Sequence, residues 1–198
     1  MADPEVAARK AALRGSVLAA RRSMGTAREE ASDAIADALV RLPEVWRVRT
    51  VMLYAADPDE VYLGAAVGRL LDRGTVLAYP RVDGDALEIV VVDDPVDLVP
   101  GHRGILEPVG PAVAPTTVDA VVVPGVAFDL DGGRLGRGGG HYDRLLATLD
   151  DDTTRIGVAF SSQVVPVVPS DEHDQPVDIV VTEHAVHQTG ARRTPRDA

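Results

Sequence analysis

The sequence lacks cysteine altogether, and this absence excludes several kinds of site at once. Disulfides, cysteine-ligated zinc, iron–sulfur clusters and cysteine nucleophiles are all ruled out. Long apolar runs are also missing, and none approaches the roughly 18–20 residues that a membrane-spanning helix needs. The N-terminal segment has no apolar signal core. We therefore expect a cytoplasmic protein with no membrane partner.

Basic residues are few compared with acidic ones. Thirty-one aspartates and glutamates stand against 20 lysines and arginines, for a net charge of −11. Nucleic-acid binding needs basic patches, so we expect no nucleic-acid partner. Only one of the 20 basic residues is a lysine, Lys10. Its retention indicates either a function or chance survival, and both interpretations stay open.

The chain is long enough to bury one hydrophobic core. It has 198 residues, of which 45% are hydrophobic, and this excludes wholesale disorder. We expect a single domain over residues 1–198, with a core at about residues 5–183. The polar residues 184–198 are predicted to form a flexible tail.

The apolar pattern predicts helices alternating with strands. Helices are predicted over residues 4–22, after a capping box formed by Thr26 and Glu29, and over residues 59–73. Strands are predicted at residues 50–54, 75–79, 86–92, 118–123, 155–160 and 177–182. This alternation indicates an α/β fold with a mostly parallel central sheet flanked by helices. In such open sheets ligands bind at the carboxyl ends of the strands.

A glycine-rich segment, GGRLGRGGGHYD, lies between a predicted strand and a helix at residues 132–143. Its glycines allow positive φ and close approach of backbone N–H groups to an anion. Arg134 and Arg137 add fixed charge suited to phosphate, and Asp143 is placed to hold a cation beside it. The alternative is a flexible turn with a capping aspartate. The glycine spacing matches neither a P-loop nor a dinucleotide fingerprint.

Three further positions have both a binding and a structural interpretation. Lys10 and Arg14 share one helix face, and they point either to a polyphosphate or to a solvated basic face. Glu60 follows a strand end, where it would accept two hydrogen bonds from an amino-pyrimidine edge or complement a helix dipole. Asp174 is either a second metal ligand or part of an acidic surface loop.

The segment PGVAFDLDGGRLGRGGGHYDRLL resembles the signature of 5-formyltetrahydrofolate cyclo-ligases, also called methenyltetrahydrofolate synthetases. Other stretches resemble that family in the same order along the chain, and the resemblance covers about residues 8–183. These stretches are KAALR at 10–14, residues 54–60, GILEP at 104–108, residues 157–163, His173-Asp174 and residues 177–183.

The resemblance implies closure of 5-formyltetrahydrofolate to 5,10-methenyltetrahydrofolate, with ATP and Mg²⁺ as cofactors and ADP and phosphate released. Lys10 and Arg137 would be catalytic, and Asp143 and Asp174 would hold the metal. The implied ATP contacts are Lys10, Arg14, Arg134, Leu135, Gly136, Arg137, Gly138, Gly139, Gly140, His141 and Tyr142. The implied folate contacts are Ala55, Glu60, Arg137, Gly138, Gly139, Gly140 and His141.

Two other functions stay open. One is an enzyme of the same fold that acts on another acyl or phosphorylated substrate, and the other is a homologue that binds nucleotide or folate without turnover. The family commonly has an aromatic residue where this chain has His141. The expected partner is a small-molecule folate, and the expected state is a monomer or weak homodimer.

Overall fold

A computed structural model describes residues 3–190 of the chain. Its α-helices are α1 (Pro4–Arg22), α2 (Ala27–Leu39), α3 (Pro43–Trp46), α4 (Gly64–Asp72) and α5 (His141–Leu146). Its strands are β1 (Thr50–Met52), β2 (Val76–Asp83), β3 (Ala86–Val92), β4 (Val99–Pro100), β5 (Leu106–Glu107), β6 (Ala112–Val113), β7 (Ala120–Val123), β8 (Ala127–Phe128), β9 (Arg134–Leu135), β10 (Thr154–Val158), β11 (Ile179–Val181) and β12 (Val186–Gln188).

One large sheet organises the chain. Its eight strands run in the order β12-β11-β10-β7-β1-β2-β3-β6. The five central strands, from β11 to β2, are parallel to one another. Strand β12 on one side, and β3 and β6 on the other, pair antiparallel. The predicted α/β class with a mostly parallel sheet is confirmed. Strand β7 is buried along its whole length, as expected for a sheet covered on both faces.

Successive residues of β1 face the two sides of the sheet. Val51 packs in a cluster with Leu39 of α2 and Leu70 of α4. Met52 packs on the opposite face with Leu146 of α5. The helices therefore form two layers around the sheet, and both layers exclude water from the same strands.

Helix α1 lies outside these layers, against the loops that follow the strands. Its buried Val17 packs with Val126 and Leu135 in a third apolar cluster. Asp3 caps its first turn by accepting a hydrogen bond from the N–H of Glu5 at 2.9 Å. The predicted helix over residues 4–22 has the same bounds in the structure.

Three local predictions were wrong. Thr26 makes no side-chain cap, because it adopts helical φ and ψ after Gly25, whose φ is 57°. The helix predicted over 59–73 begins only at Gly64 and ends at Asp72, so residues 59–63 are not helical. The polar end does not fray from residue 184, since Val186–Gln188 pairs with β11. Residues 191–198 of the predicted tail lie outside the described residues.

Across residues 3–190, we find no helix with the length and apolar character needed to cross a bilayer.

Candidate functional site

The loops that follow three neighbouring strands lie at the same edge of the sheet. Strands β1, β7 and β10 are adjacent and parallel, so their carboxyl ends share an edge. The loop after β1 carries Glu60, the loop after β7 carries the glycine-rich segment, and the loop after β10 leads to Asp174. This convergence at strand ends is where parallel sheets bind ligands.

The glycine-rich loop leaves a short hairpin, β8–β9, and enters α5. Asp129 holds the hairpin, because its carboxylate accepts hydrogen bonds from the N–H groups of Asp131, Gly133 and Val168. Gly138 and Gly140 have φ of 106° and 68°, a region that other residues avoid. Within residues 3–190, the N–H groups of residues 136–140 have no protein acceptor. They are therefore available to an anion.

Helix α1 meets this loop directly. Arg14 donates from Nε to the carbonyl of Gly136 at 2.8 Å. A Cβ on Gly138 would stand 3.7 Å from the Arg14 guanidinium, so the loop backbone and this cation are neighbours. Arg14 and the glycine-rich loop, both of which the family resemblance assigns to ATP, are therefore in contact. Helix α5 has only six residues, so it adds little dipole to the site.

Lys10 is buried between two aspartates. Its Nζ lies 2.7 Å from Asp171 Oδ2 and 2.5 Å from Asp174 Oδ2. Burial alone would lower the pKa of Lys10, but these two carboxylates outweigh it and hold the pKa above its usual value. Lysine has three N–H donors. Two are used here, which leaves one for a ligand oxygen.

Asp143 lies beside the same loop. Its Oδ1 accepts from Arg134 Nη2 at 2.7 Å and from the N–H of Gln175 at 3.3 Å. The second contact brings Asp143 next to the segment that carries Asp174. Asp143 Oδ2 and Asp174 Oδ1 accept no hydrogen bond from a residue among 3–190.

These two carboxylates suit magnesium better than a metal that needs a full protein cage. No group of three or more His, Asp or Glu placed to hold a metal occurs within residues 3–190. Mg²⁺ usually takes one or two carboxylates together with water and substrate phosphates. The two free oxygens, next to a loop of open N–H groups, therefore fit a magnesium ion that is shared with a phosphate.

Glu60 and Arg137 form an ion pair across the site. Arg137 Nη2 lies 3.0 Å from Glu60 Oε1, and Arg137 Nη1 also pairs with Asp57. Burial would lower the pKa of Arg137, but the charges of Glu60 and Asp57 raise it overall. Glu60 Oε2 accepts from the N–H of Asp57 at 3.1 Å. Glu60 thus belongs to a turn before α4, which begins only at Gly64, so the interpretation that it complements a helix dipole was wrong.

Two tyrosines, Tyr54 and Tyr142, lie near Glu60. Tyr54 donates its hydroxyl to the carbonyl of Val61 at 2.7 Å. The Arg134 guanidinium lies 5.6 Å from the Tyr142 ring centroid. Burial, and then the charge of Glu60, raise the pKa of both phenols. Both tyrosines therefore stay neutral and act as hydrogen-bonding or packing groups.

Two of the implied ATP contacts have a structural role in this chain. The Leu135 side chain is buried in the apolar cluster beneath α1, and its carbonyl accepts from Val126 N–H at 2.7 Å. We assign Leu135 to the core. Arg134 is also buried and is bound to Asp143, so it positions a carboxylate and does not face the solvent as a free cation.

The remaining implied contacts lie around the opening. Ala55 is half-buried on the segment that leads from β1 to Glu60. Gly139 has no positive φ, and a Cβ there would stand 2.6 Å from the His141 ring nitrogen Nδ1. His141 begins α5, with its ring centroid 6.3 Å from that of His102.

Sequence reasoning missed three charged residues of this region. Asp57 and Asp171 take part in the ion pairs just described, and Arg21 is buried nearby on α1. A signal for Arg21 was present, because it follows Lys10 and Arg14 by eleven and seven residues and so shares their helix face. No pattern in the sequence marked Asp57 or Asp171.

Comparison with known proteins gives a consistent set of matches. The family described as the 5-formyltetrahydrofolate cyclo-ligase family matches residues 6–183. A 5-formyltetrahydrofolate cyclo-ligase of Mycolicibacterium smegmatis is 31% identical over 142 residues, covering 68% of this chain and 73% of the relative. A mouse 5-formyltetrahydrofolate cyclo-ligase is 26% identical over 152 residues, with the same two coverages.

Solved structures agree. The NMR structure of an Aquifex aeolicus 5,10-methenyltetrahydrofolate synthetase is 38% identical with a TM-score of 0.82, covering 95% of this chain and 96% of that one. A 5,10-methenyltetrahydrofolate synthetase from Mycoplasma pneumoniae is 25% identical with a TM-score of 0.71, covering 88% and 98%.

Proposed function

Because the chain belongs to the 5-formyltetrahydrofolate cyclo-ligase family, we propose that it closes 5-formyltetrahydrofolate to 5,10-methenyltetrahydrofolate. In the proposed reaction ATP and Mg²⁺ are required, and ADP and phosphate are released. The enzyme class is that of a cyclo-ligase. The observation that carries the proposal is the 3.0 Å ion pair between Arg137 and Glu60, because it joins the glycine-rich loop, which we propose binds phosphate, to the carboxylate that we propose binds the pterin.

The formyl oxygen is a poor leaving group, and this sets what the protein has to do. Transfer of the terminal phosphoryl group of ATP to that oxygen releases ADP and makes a leaving group. Attack by the folate N10 then closes the ring as phosphate departs and N10 gives up its proton. No covalent bond to the protein is required. The residues need only hold two ligands in line and stabilise the charge that moves during transfer.

We assign the phosphate oxygens of ATP to Lys10 and Arg14 of α1 and to the N–H groups of the glycine-rich loop. Lys10 has one donor left, and Arg14 keeps its Nη groups beyond its bond to Gly136. Asp143 and Asp174 would hold the magnesium with their free oxygens. When bound, that ion neutralises phosphate charge during transfer.

The pterin is assigned to Glu60. A carboxylate has about four acceptor sites. Arg137 and the N–H of Asp57 use one on each oxygen, so two remain for the amino group and ring N–H of the pterin. Arg137 is part of the glycine-rich loop and pairs with Glu60, the residue proposed to bind the pterin, and this position would suit it to stabilise charge between the two ligands.

A spectrum tests the proposal directly. The methenyl product absorbs in the near ultraviolet where the formyl substrate does not, so the full chain is mixed with substrate, ATP and Mg²⁺ and the absorbance followed. We expect a rise that disappears when ATP or Mg²⁺ is omitted. Binding of both ligands without any rise would favour a homologue without turnover. Failure to bind the folate would favour an enzyme with another substrate.

Two properties of the working enzyme belong to the same proposal. We propose a monomer or weak homodimer, which analytical sedimentation would check. A reaction that consumes ATP suits the cytoplasm, and we propose that location.

A further inference from the structure

Arg21 is a buried charge without a hydrogen-bond partner. Only 2% of the residue is exposed, and Nε is a buried donor with no acceptor. No hydrogen bond or ion pair joins the rest of its guanidinium to another residue among 3–190. Burial lowers the pKa of Arg21, while the charge of Glu60 partly opposes that effect. A buried arginine normally has a hydrogen-bond acceptor for each of its donors, so Arg21 lacks acceptors in the protein without ligand.

The side chain of Arg21 lines a cavity of about 270 Å³ between α1 and the loops after β1 and β7. The charged residues around this cavity are Arg14, Arg21, Arg22, Arg137, Asp57 and Asp59. Four arginines face two aspartates, which leaves a surplus of positive charge. The surplus is concentrated at Arg21 and Arg14, which have no carboxylate partner among residues 3–190. Arg137 is paired with Asp57, and Arg22 lies 3.8 Å from Asp59 with a mostly exposed side chain.

The cavity lies at a different end of α1 from Lys10. Eleven residues separate Arg21 from Lys10, about 16 Å along a helix, and seven separate it from Arg14. Lys10 lies against the two aspartates near the proposed metal. Arg21 instead lines the same cavity as Arg137, whose partner is Glu60. The Arg21 end therefore belongs to the Glu60 side of the site.

We propose that this cavity is an oxyanion-binding subsite in which Arg21, helped by Arg14, binds a phosphate or carboxylate group. A planar guanidinium with free donors in a partly desolvated cavity is suited to bind either group through two parallel hydrogen bonds. The proposal rests on the proposed function for the source of the anion. That source is either a phosphate of the nucleotide or a carboxylate of the glutamate part of the folate.

Two probes separate these sources in a binding experiment on the full chain. Isothermal titration is carried out with inorganic tripolyphosphate and, separately, with γ-linked triglutamate. The variants are Arg21→Met, which keeps the length and removes the charge, and Arg9→Met, which removes an exposed charge from the same helix. We expect Arg21→Met to weaken at least one probe by about tenfold or more, and Arg9→Met to bind it as wild type does.

Each result decides the matter. A loss confined to tripolyphosphate assigns the subsite to the nucleotide, a loss confined to triglutamate assigns it to the folate, and a loss of both shows a general oxyanion site. Equal affinity of wild type and Arg21→Met for both probes, or no binding by wild type, overturns the proposal. Should Arg21→Met fail to fold, Arg21→Gln, which also removes the charge, replaces it, and equal affinities there have the same meaning.

Failure of this inference can be told from failure of the proposed function. Turnover by wild type together with unchanged anion binding in Arg21→Met removes the subsite and leaves the cyclo-ligase function intact. Anion binding that depends on Arg21, without turnover in wild type, keeps the subsite and removes the function.

Discussion

Arg137 and Glu60 come from loops after different strands, yet Arg137 Nη2 lies 3.0 Å from Glu60 Oε1. Each is the counter-ion of the other before any ligand is bound. A change at either residue therefore alters the charge that the other presents. Variants at this pair must be measured with both ligands separately.

Glu60→Gln is expected to damage folate binding selectively. Glutamine keeps the size but offers a donor where the pterin edge needs acceptors. A charge-assisted hydrogen bond contributes about 1.5–3 kcal/mol, so folate affinity should fall roughly 10- to 100-fold. Isothermal titration with folate and with ATP measures both affinities. ATP affinity should change much less than folate affinity, because Arg137 keeps Asp57 as a counter-ion. Glu30→Gln, at an exposed position on α2, is the control. Wild-type folate affinity in Glu60→Gln would remove the pterin assignment.

Lys10→Ala is expected to raise the apparent KM for ATP by about tenfold or more, a loss of roughly 1.4 kcal/mol. The ammonium has one donor left for phosphate after its bonds to Asp171 and Asp174. Initial rates over a range of ATP concentrations give this value. Arg9→Ala removes an exposed charge one residue away and should leave the KM unchanged. Unchanged ATP kinetics in Lys10→Ala would exclude Lys10 from the nucleotide site.

Gly138→Ala is expected to weaken ATP binding by distorting the loop. The φ of 106° at Gly138 is one that alanine avoids, and the residue lies against the Arg14 guanidinium. Titration with ATP should show a loss of about tenfold, of the size that a strain of 1–2 kcal/mol would cause. Gly68→Ala, on α4 with open space around it, should bind ATP normally. Normal ATP binding by Gly138→Ala would show that the loop does not contact phosphate.

Asp143→Asn is expected to raise the magnesium concentration needed for half-maximal rate. Asparagine keeps the shape but removes the charge that a hard cation prefers. The change also takes the counter-ion from buried Arg134, so thermal stability should fall as well. Asp152→Asn, at an exposed position, is the control. Coincident magnesium curves together with a lower Tm would restrict Asp143 to a structural role.

The Lys10–Asp171 pair predicts a pH-dependent contribution to stability. The hydrogen bond from Lys10 lowers the pKa of Asp171 in the folded state. Such a group stabilises the fold above its unfolded pKa of about 3.9, and this contribution is lost as pH falls through the lower folded value. Lys10, whose pKa is raised, loses its contribution only as pH rises above about 10.4.

Urea unfolding of wild type and Asp171→Asn from pH 3 to 8 tests this. The difference in free energy of unfolding should be constant from about pH 5 upward and shrink below about pH 4. Asp151→Asn, at an exposed position, should show no such change. A wild-type advantage that persists undiminished at pH 3 would contradict the pairing.

The sheet strands and helix α1 were predictable because residues that are buried in regular elements give a periodic apolar pattern in the sequence. The bounds of β3 at Ala86–Val92 and of α1 at Pro4–Arg22 match the predicted ranges. The wrong predictions lie where a local turn or a pairing partner determines the structure and leaves no periodic pattern. Gly25 turns the chain so that Thr26 enters helical geometry, and the polar Val186–Gln188 forms an edge strand because β11 offers it a hydrogen-bonding partner.

The site was predictable in its parts and not in its pairings. Residue types and order indicated Lys10, Glu60 and Asp143 as candidates, and the structure brings them to one edge of the sheet. That Arg137 pairs with Glu60, or that Arg134 is buried under Asp143, depends on side-chain contacts between loops distant in sequence. Such contacts leave no periodic signal.

The pairing of Lys10 with Asp174 joins residues 164 positions apart. During synthesis, the first helix emerges from the ribosome long before the segment that completes its binding surface. Such distant closure is slow compared with helix formation. A nascent chain that has not yet reached residue 174 lacks Asp174, which is both the second proposed metal ligand and one of the two partners of Lys10. The proposed ATP-dependent activity would therefore appear only once the chain is nearly complete.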